Sequence, residues 1–144
     1  AADAWVGDDP DGLVKLAVVV AALGLRREHP EWFGSGPTGS YEALRATGTA
    51  ADHLLAFGRG LDGGRVPERH DSVVPPAGAG AVTVATRWPL RLERSGGWGD
   101  TVLALPPGTW GDRLSGARWS GQVAVGDLLG RLPVALLVGA VDGD

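Results

Sequence analysis

The sequence predicts a mainly β fold, an antiparallel β-sandwich preceded by one long N-terminal α-helix. Three observations lead there. The 144 residues include 24 Gly and 10 Pro, a usage that suits many short elements joined by turns. After residue 33 the apolar residues fall in short, often β-branched runs bounded by Gly/Pro clusters. Before that point, 11 of the 13 residues from Leu13 to Leu25 are apolar, the exceptions being Lys15 and Gly24.

The helix is expected over 12–29. Asp8, Asp9 and Asp11 surround Pro10 just before it and favour the positive helix N-terminus. Arg26, Arg27 and His29 suit the C-terminus, and Pro30 stops the helix. A surface helix carries a single apolar stripe, whereas this one is apolar nearly all round. Its run falls short of the ~20 residues a membrane span needs. A chain of this size cannot easily cover such a helix, so part of its covering is expected outside these residues.

Glu31-Trp32-Phe33 leads into a Gly/Ser/Pro loop at 34–40. Tyr41–Ala46 and His53–Arg59 read as strands, the second with His53, Leu55 and Phe57 on one face and Leu54 and Ala56 on the other. Residues 60–80 are expected to form a long mobile loop, with Val73-Val74 as a short strand. Ala81–Trp88 is a β-branched strand ended by Pro89, and Leu90–Arg94 continues it past a kink. A tight loop at 95–100 precedes a strand Thr101–Leu105, closed by Pro106-Pro107-Gly108. Further strands are expected at Trp110–Leu114, Trp119–Val125 and Pro133–Val138, with a helical turn Asp127–Leu132 capped by Asp127. The tail 139–144 should be loose. The domains expected are 1–33 as helix and lead-in, 34–138 as the sandwich, and 139–144 as tail.

Composition narrows the chemistry. The net charge of −4 argues against nucleic acid as the main partner. The absence of Cys removes disulfides, thiol nucleophiles and Cys-ligated metals. The absence of Met and the start at Ala1 point to a processed product or a piece of a longer protein. No signal peptide or membrane span is visible, and a cytoplasmic location is expected.

No catalytic set emerges. His29 reads as a helix-terminal cation, His53 as a strand-edge residue and His70 as a solvated loop residue; their spacing fits no metal motif. Asp100, Asp112 and Asp127 have turn or cap roles open to them. A glycosidase pair would need two carboxylates about 5–9.5 Å apart on rigid elements. The glycines at 58–64 and 78–80 lack the Lys-Ser/Thr ending of a phosphate loop. No cofactor or metal site is expected. Six Trp stand among the nine aromatic residues, and a Trp face can serve as a platform for sugar rings. Trp98, surrounded by glycines, and Trp119 are the possible sugar contacts.

A family resemblance rests on runs of residues. Leu25-Arg26-Arg27-Glu28-His29-Pro30-Glu31-Trp32-Phe33 resembles the end of the last barrel helix in the α-amylase superfamily, where the chain enters a C-terminal β domain. Asp11–Leu16 fits the approach to that helix, and Asp52–Phe57 resembles the first strands of the domain. Val82–Arg87, Gly96–Thr101, Leu105–Trp110, Leu114–Gly116, Asp127–Leu129 and Leu132–Val138 resemble the maltooligosyl trehalose synthase family. Together the runs cover about residues 8–138, with 60–80 departing from the pattern. The resemblance implies a parent enzyme that converts the reducing-end α-1,4 linkage of maltooligosaccharides to α,α-1,1 by a retaining, two-carboxylate transfer. It implies that the catalytic carboxylates lie on a (β/α)₈ barrel upstream, with none here, and that this segment is structural. The barrel of the parent chain is then the partner, and maltooligosaccharide is met through the parent. Two alternatives stand beside it: a glycan-binding β-sandwich module using Trp98 or Trp119, and the C-terminal domain of another amylase-type glycoside hydrolase.

Overall fold

The computed structural model describes residues 13–34, 41–61, 80–130 and 132–139. The expected strand at Val73-Val74, His70, the cap cluster Asp8–Asp11 and residues 140–144 of the expected tail lie outside them; Gly139, expected in that tail, is instead the buried last residue of the final strand. Helix α1 spans Leu13–Glu28, with Arg26 and Arg27 in its last turn, and Pro30–Phe33 forms a single turn, α2. The strands are β1 (Tyr41–Leu44), β2 (Ala46–Thr47), β3 (Leu54–Arg59), β4 (Ala81–Thr86), β5 (Val102–Asp112), β6 (Arg118–Ala124) and β7 (Val134–Gly139). Two short helices, α3 (Pro89–Arg94) and α4 (Val125–Leu128), interrupt them.

All strand pairings among the described residues are antiparallel, as expected for a mainly β domain. They join into one curled sheet of order β1-β3-β4-β7-β5-β2, with β6 also on β5. The curl is legible in the pairing. The ends of the path, β1 and β2, are consecutive pieces of one segment, broken only at Arg45. The first piece pairs with β3 (Ala43↔Phe57) and the second with β5 (Ala46↔Leu103). The sheet therefore bends round an interior, and the two-sided packing of a sandwich is achieved within a single hydrogen-bonded system.

The interior holds Val82, Val84, Leu103, Leu105, Trp110, Ala135 and Leu137 from the sheet, closed by Val125, Leu128 and Leu129 from α4 and the turn after it. Trp110 is fully buried, and its indole Nε1–H donates to the Pro106 carbonyl at 2.9 Å. That bond satisfies the polar atom a buried Trp otherwise strands. A second cluster lies on the outer face, where Ala81, Leu136 and Val138 meet Leu25 of α1 and Trp32 of α2. In β7, Ala135 and Leu137 face inward and Leu136 and Val138 outward, so this central strand is buried on both faces. That accounts for its unbroken apolar run.

Three local expectations are corrected. Leu90–Arg94 does not continue the strand; it lies in α3. Pro89 presets a helical first turn, and Trp88 adopts a left-handed backbone (φ 50°, ψ 61°) that turns the chain off the strand. Pro106-Pro107-Gly108 does not divide two strands, because β5 runs through it. Its register against β6 slips between Ala104 and Thr109, so the two prolines sit where no ladder donor is required. The extra residues also change the alternation, placing Leu105 and Trp110, five apart, on the same interior side. Finally, Asp127 does not cap a helix over 127–132. The helix starts at Val125, with Ala124 at the N-cap and no side-chain cap bond, because burial of Val125 draws the turn in directly after β6.

Smaller shifts occur at other ends. Strand Tyr41–Ala46 is interrupted at Arg45, and Ala51–His53 is a 3₁₀ turn before β3. Two glycines have a steric reason. Gly60 (φ +66°) lies beneath the Trp32 indole, where a Cβ would overlap the ring. Gly80 (φ +91°) enters β4 against the Arg59 and Gly60 backbone, where no side chain fits.

Candidate functional site: an uncovered helix face beside two grooves

Helix α1 is held to the sheet at one end. Leu25 is 1% exposed against Leu136 and Val138, and Ala21 and Ala22 pack at the margin of the same cluster. The adjoining turn completes the anchor. The His29 and Trp32 rings stack 3.8 Å apart, and Arg59 of β3 donates to the carbonyls of Trp32 (3.4 Å) and Gly34 (3.3 Å). Glu31 is held below the usual carboxylate range by its backbone amide and by His29, whose Nδ1 is 3.2 Å away. Arg113 and Glu28 form an exposed ion pair at 3.0 Å, which contributes little.

N-terminal to this anchor, α1 carries exposed apolar side chains. Leu16, Val19, Val20 and Leu23 are 51–63% exposed. Their spacing follows the helical repeat, so they form one continuous apolar face. So continuous an exposed face is unusual for large aliphatic side chains.

The histidines and carboxylates discussed above are dispersed. His53 Nδ1–H donates to the Arg87 carbonyl at 3.1 Å. Asp100 Oδ1 accepts from the Thr49 amide and hydroxyl, both at 2.9 Å, and the amide bond above all holds its carboxyl below the ordinary value. Asp112 is 4% exposed; it accepts from the Leu114 amide (3.0 Å), the Ser115 hydroxyl (2.9 Å) and the Leu136 amide (3.2 Å). It organises the β5–β6 turn and fastens that turn to β7. Each of these two carboxylates has a local structural occupation, and no cluster of three or more His, Asp or Glu suited to a metal forms among the described residues.

Trp98 and Trp119 are not brought together at one groove. Trp98 is half-buried against the interior core and packs beside Gly126, while its carbonyl accepts from the Thr101 hydroxyl at 2.5 Å. Trp119 is also half-buried; it lines a groove of about 410 Å³ with Asp112, Ser115 and Asp127, and its indole N–H is buried without a partner. The sequence reading did not single out Trp88. It is 48% exposed, and its left-handed backbone immediately before a proline is the feature that could have drawn notice only once the fold was known. With Tyr41 it lines a second groove, of about 490 Å³.

No family model matches the chain. Proteins named as maltooligosyl trehalose synthase in two strains of Mycobacterium tuberculosis are 41% identical to it over 124 residues, covering 86% of this chain and 13% of theirs. Two solved structures of the maltooligosyltrehalose synthase from Arthrobacter ramosus, one of them a point mutant, superpose with a TM-score of 0.69 at 35% and 36% identity. The chain belongs to the maltooligosyl trehalose synthase family. The superpositions cover 92% and 96% of this chain but only 14% and 15% of the Arthrobacter chains, so it spans a small part of the length of its relatives in that family. The uncovered face of α1 thus belongs to a chain whose family members are much longer.

Proposed function

We propose that this chain is the C-terminal portion of a maltooligosyl trehalose synthase and serves there as a non-catalytic structural domain. In this reading 1–33 supplies the last helix of the catalytic barrel and its lead-in, and 34–138 forms the β cap beside it. The parent enzyme moves the reducing-end glucose linkage of maltooligosaccharides from α-1,4 to α,α-1,1, with its carboxylates on the barrel and none here. The observation that carries the reading is the apolar face Leu16–Val19–Val20–Leu23, exposed in a chain that spans so little of its relatives. Covering those four side chains would contribute about 1.5–3 kcal/mol each. The occupied hydrogen bonds of Asp100 and Asp112 further support a structural role over a catalytic one.

The test is made on the parent enzyme and on this chain. With maltohexaose, the chain alone should give no non-reducing product, whereas the parent should. Leu16→Asp with Leu23→Asp in the parent should lower its Tm and its activity together. Turnover by the chain alone, or a doubly substituted parent of unchanged stability and rate, would remove the basis of the reading.

A further inference from the structure

No residue of α1 lines the groove between Tyr41 and Trp88. Its framework is held by backbone hydrogen bonds and ring contacts. Trp88 is the only non-glycine residue with positive φ among the described residues, a conformation that costs on the order of 1–3 kcal/mol. The neighbouring chain holds it there. The Arg87 amide donates to the His53 carbonyl, the His53 ring donates back to the Arg87 carbonyl, and the His53 ring meets the Trp88 ring edge-on at 6.0 Å. The Arg87 guanidinium lies over the indole at 4.4 Å and Arg91 at 5.2 Å. Trp88 is half-exposed and belongs to neither core cluster.

The lining has a particular chemistry. Tyr41 is 60% exposed and stacks on Phe57 at 5.4 Å, so one ring face is backed and the other is left to solvent. Arg87, laid on the indole, presents a planar fork of donors at a fixed place. Asp52 offers acceptors and Arg45 further donors; neither side chain has a hydrogen bond or ion pair among the described residues. Charges of both signs line the groove, which suits a neutral ligand better than an anion. An apolar platform, a fixed donor fork and free acceptors together match a pyranose, which carries an apolar face and a rim of vicinal hydroxyls. The volume, about 490 Å³, lies within the range of small-ligand sites.

We propose that the Tyr41–Trp88 groove binds a neutral oligosaccharide, with Tyr41 as the stacking platform and Arg87 and Asp52 as the hydroxyl-reading groups. The ligand class follows from the lining and does not require the parent's activity, so a silent catalytic assay would leave it standing. The experiment is a titration of the chain with maltohexaose, followed in ¹H–¹⁵N correlation spectra. Saturable shifts are expected at the Tyr41 amide and the Trp88 indole N–H, with the Trp119 indole N–H unmoved. Tyr41→Ala should weaken binding about tenfold, the loss of one aromatic contact. Arg87→Lys, which keeps charge but loses the fork, should also weaken it. Should Tyr41→Ala not fold, Arg45→Ala takes its place with a smaller expected loss. Absence of saturable shifts, shifts centred on Trp119, unchanged affinity in Tyr41→Ala, or the same footprint produced by a poly-Glu peptide and not by the sugar would each overturn the proposal.

Discussion

Helix α1 and strand β7 are the two greasiest stretches of the described chain, and they meet opposite fates. In β7, Ala135 to Val138 are all buried, the inner residues by the sheet's own interior and the outer ones by Leu25 and Trp32. In α1, Leu25 is buried while Leu16, Val19, Val20 and Leu23 stand in solvent. Similar apolar content thus signals two different things. In β7 it reports a position enclosed by this chain, and in α1 a face that this chain leaves exposed.

The sharpest way to probe that difference is to remove bulk from each side. Trp110→Ala, beneath β7, should cost about 3–5 kcal/mol in chemical denaturation, because a fully buried indole and its bond to Pro106 are lost together. Leu137→Ala should follow at about 2–5 kcal/mol. Gly60→Ala attacks the joint between the regions. The new methyl meets the Trp32 indole and requires a left-handed backbone, so a loss of at least about 1 kcal/mol is expected, with Trp32 fluorescence shifting as the α2 turn lifts. By contrast, Val20→Ser should alter the chain's stability by no more than about 0.5 kcal/mol in the same measurement. A large destabilisation from Val20→Ser would show that α1 is covered after all, and the contrast would collapse.

The smallest expected effect concerns pH and lies away from both regions. Asp100 is held below its ordinary pKa by the Thr49 amide and hydroxyl. A carboxyl depressed in the folded state adds stability above its unfolded value, and that increment disappears as pH falls through the lower folded value. Asp100→Asn should therefore lower stability slightly at neutral pH, where the increment is present, leave it nearly unchanged below the folded pKa, and so flatten the acid limb of the stability curve. An unaltered acid limb would mean that the Thr49 contacts are absent in solution.

Several elements were readable because their signals are local. The ends of α1 follow from Arg26, Arg27 and Pro30, and the alternation of β3 places Ala56 in the core and Leu55 outside. The resemblance of the runs around Gly96–Thr101 and Leu132–Val138 also pointed to the family to which the chain belongs. Other features were not local. Leu90–Arg94 has strand-compatible residues, but the turn at Trp88 decides the matter, and that turn is secured by His53, distant in sequence. Pro106-Pro107 reads as a break unless the slip in register that excuses it is known. The groove at Tyr41 and Trp88 assembles from β1, β3 and the end of β4, so no window of sequence contains it.

By itself, then, the sequence determined which segments were apolar, where chain ends and turns punctuated them, and that α1 is apolar nearly all round. Periodicity, capping and proline act over a few residues, and a linear reading captures them. Only the tertiary structure decided which aromatic rings are spent on the core, which stand free, and which strands share an interior. Those outcomes depend on pairing register and on contacts between residues far apart in the chain.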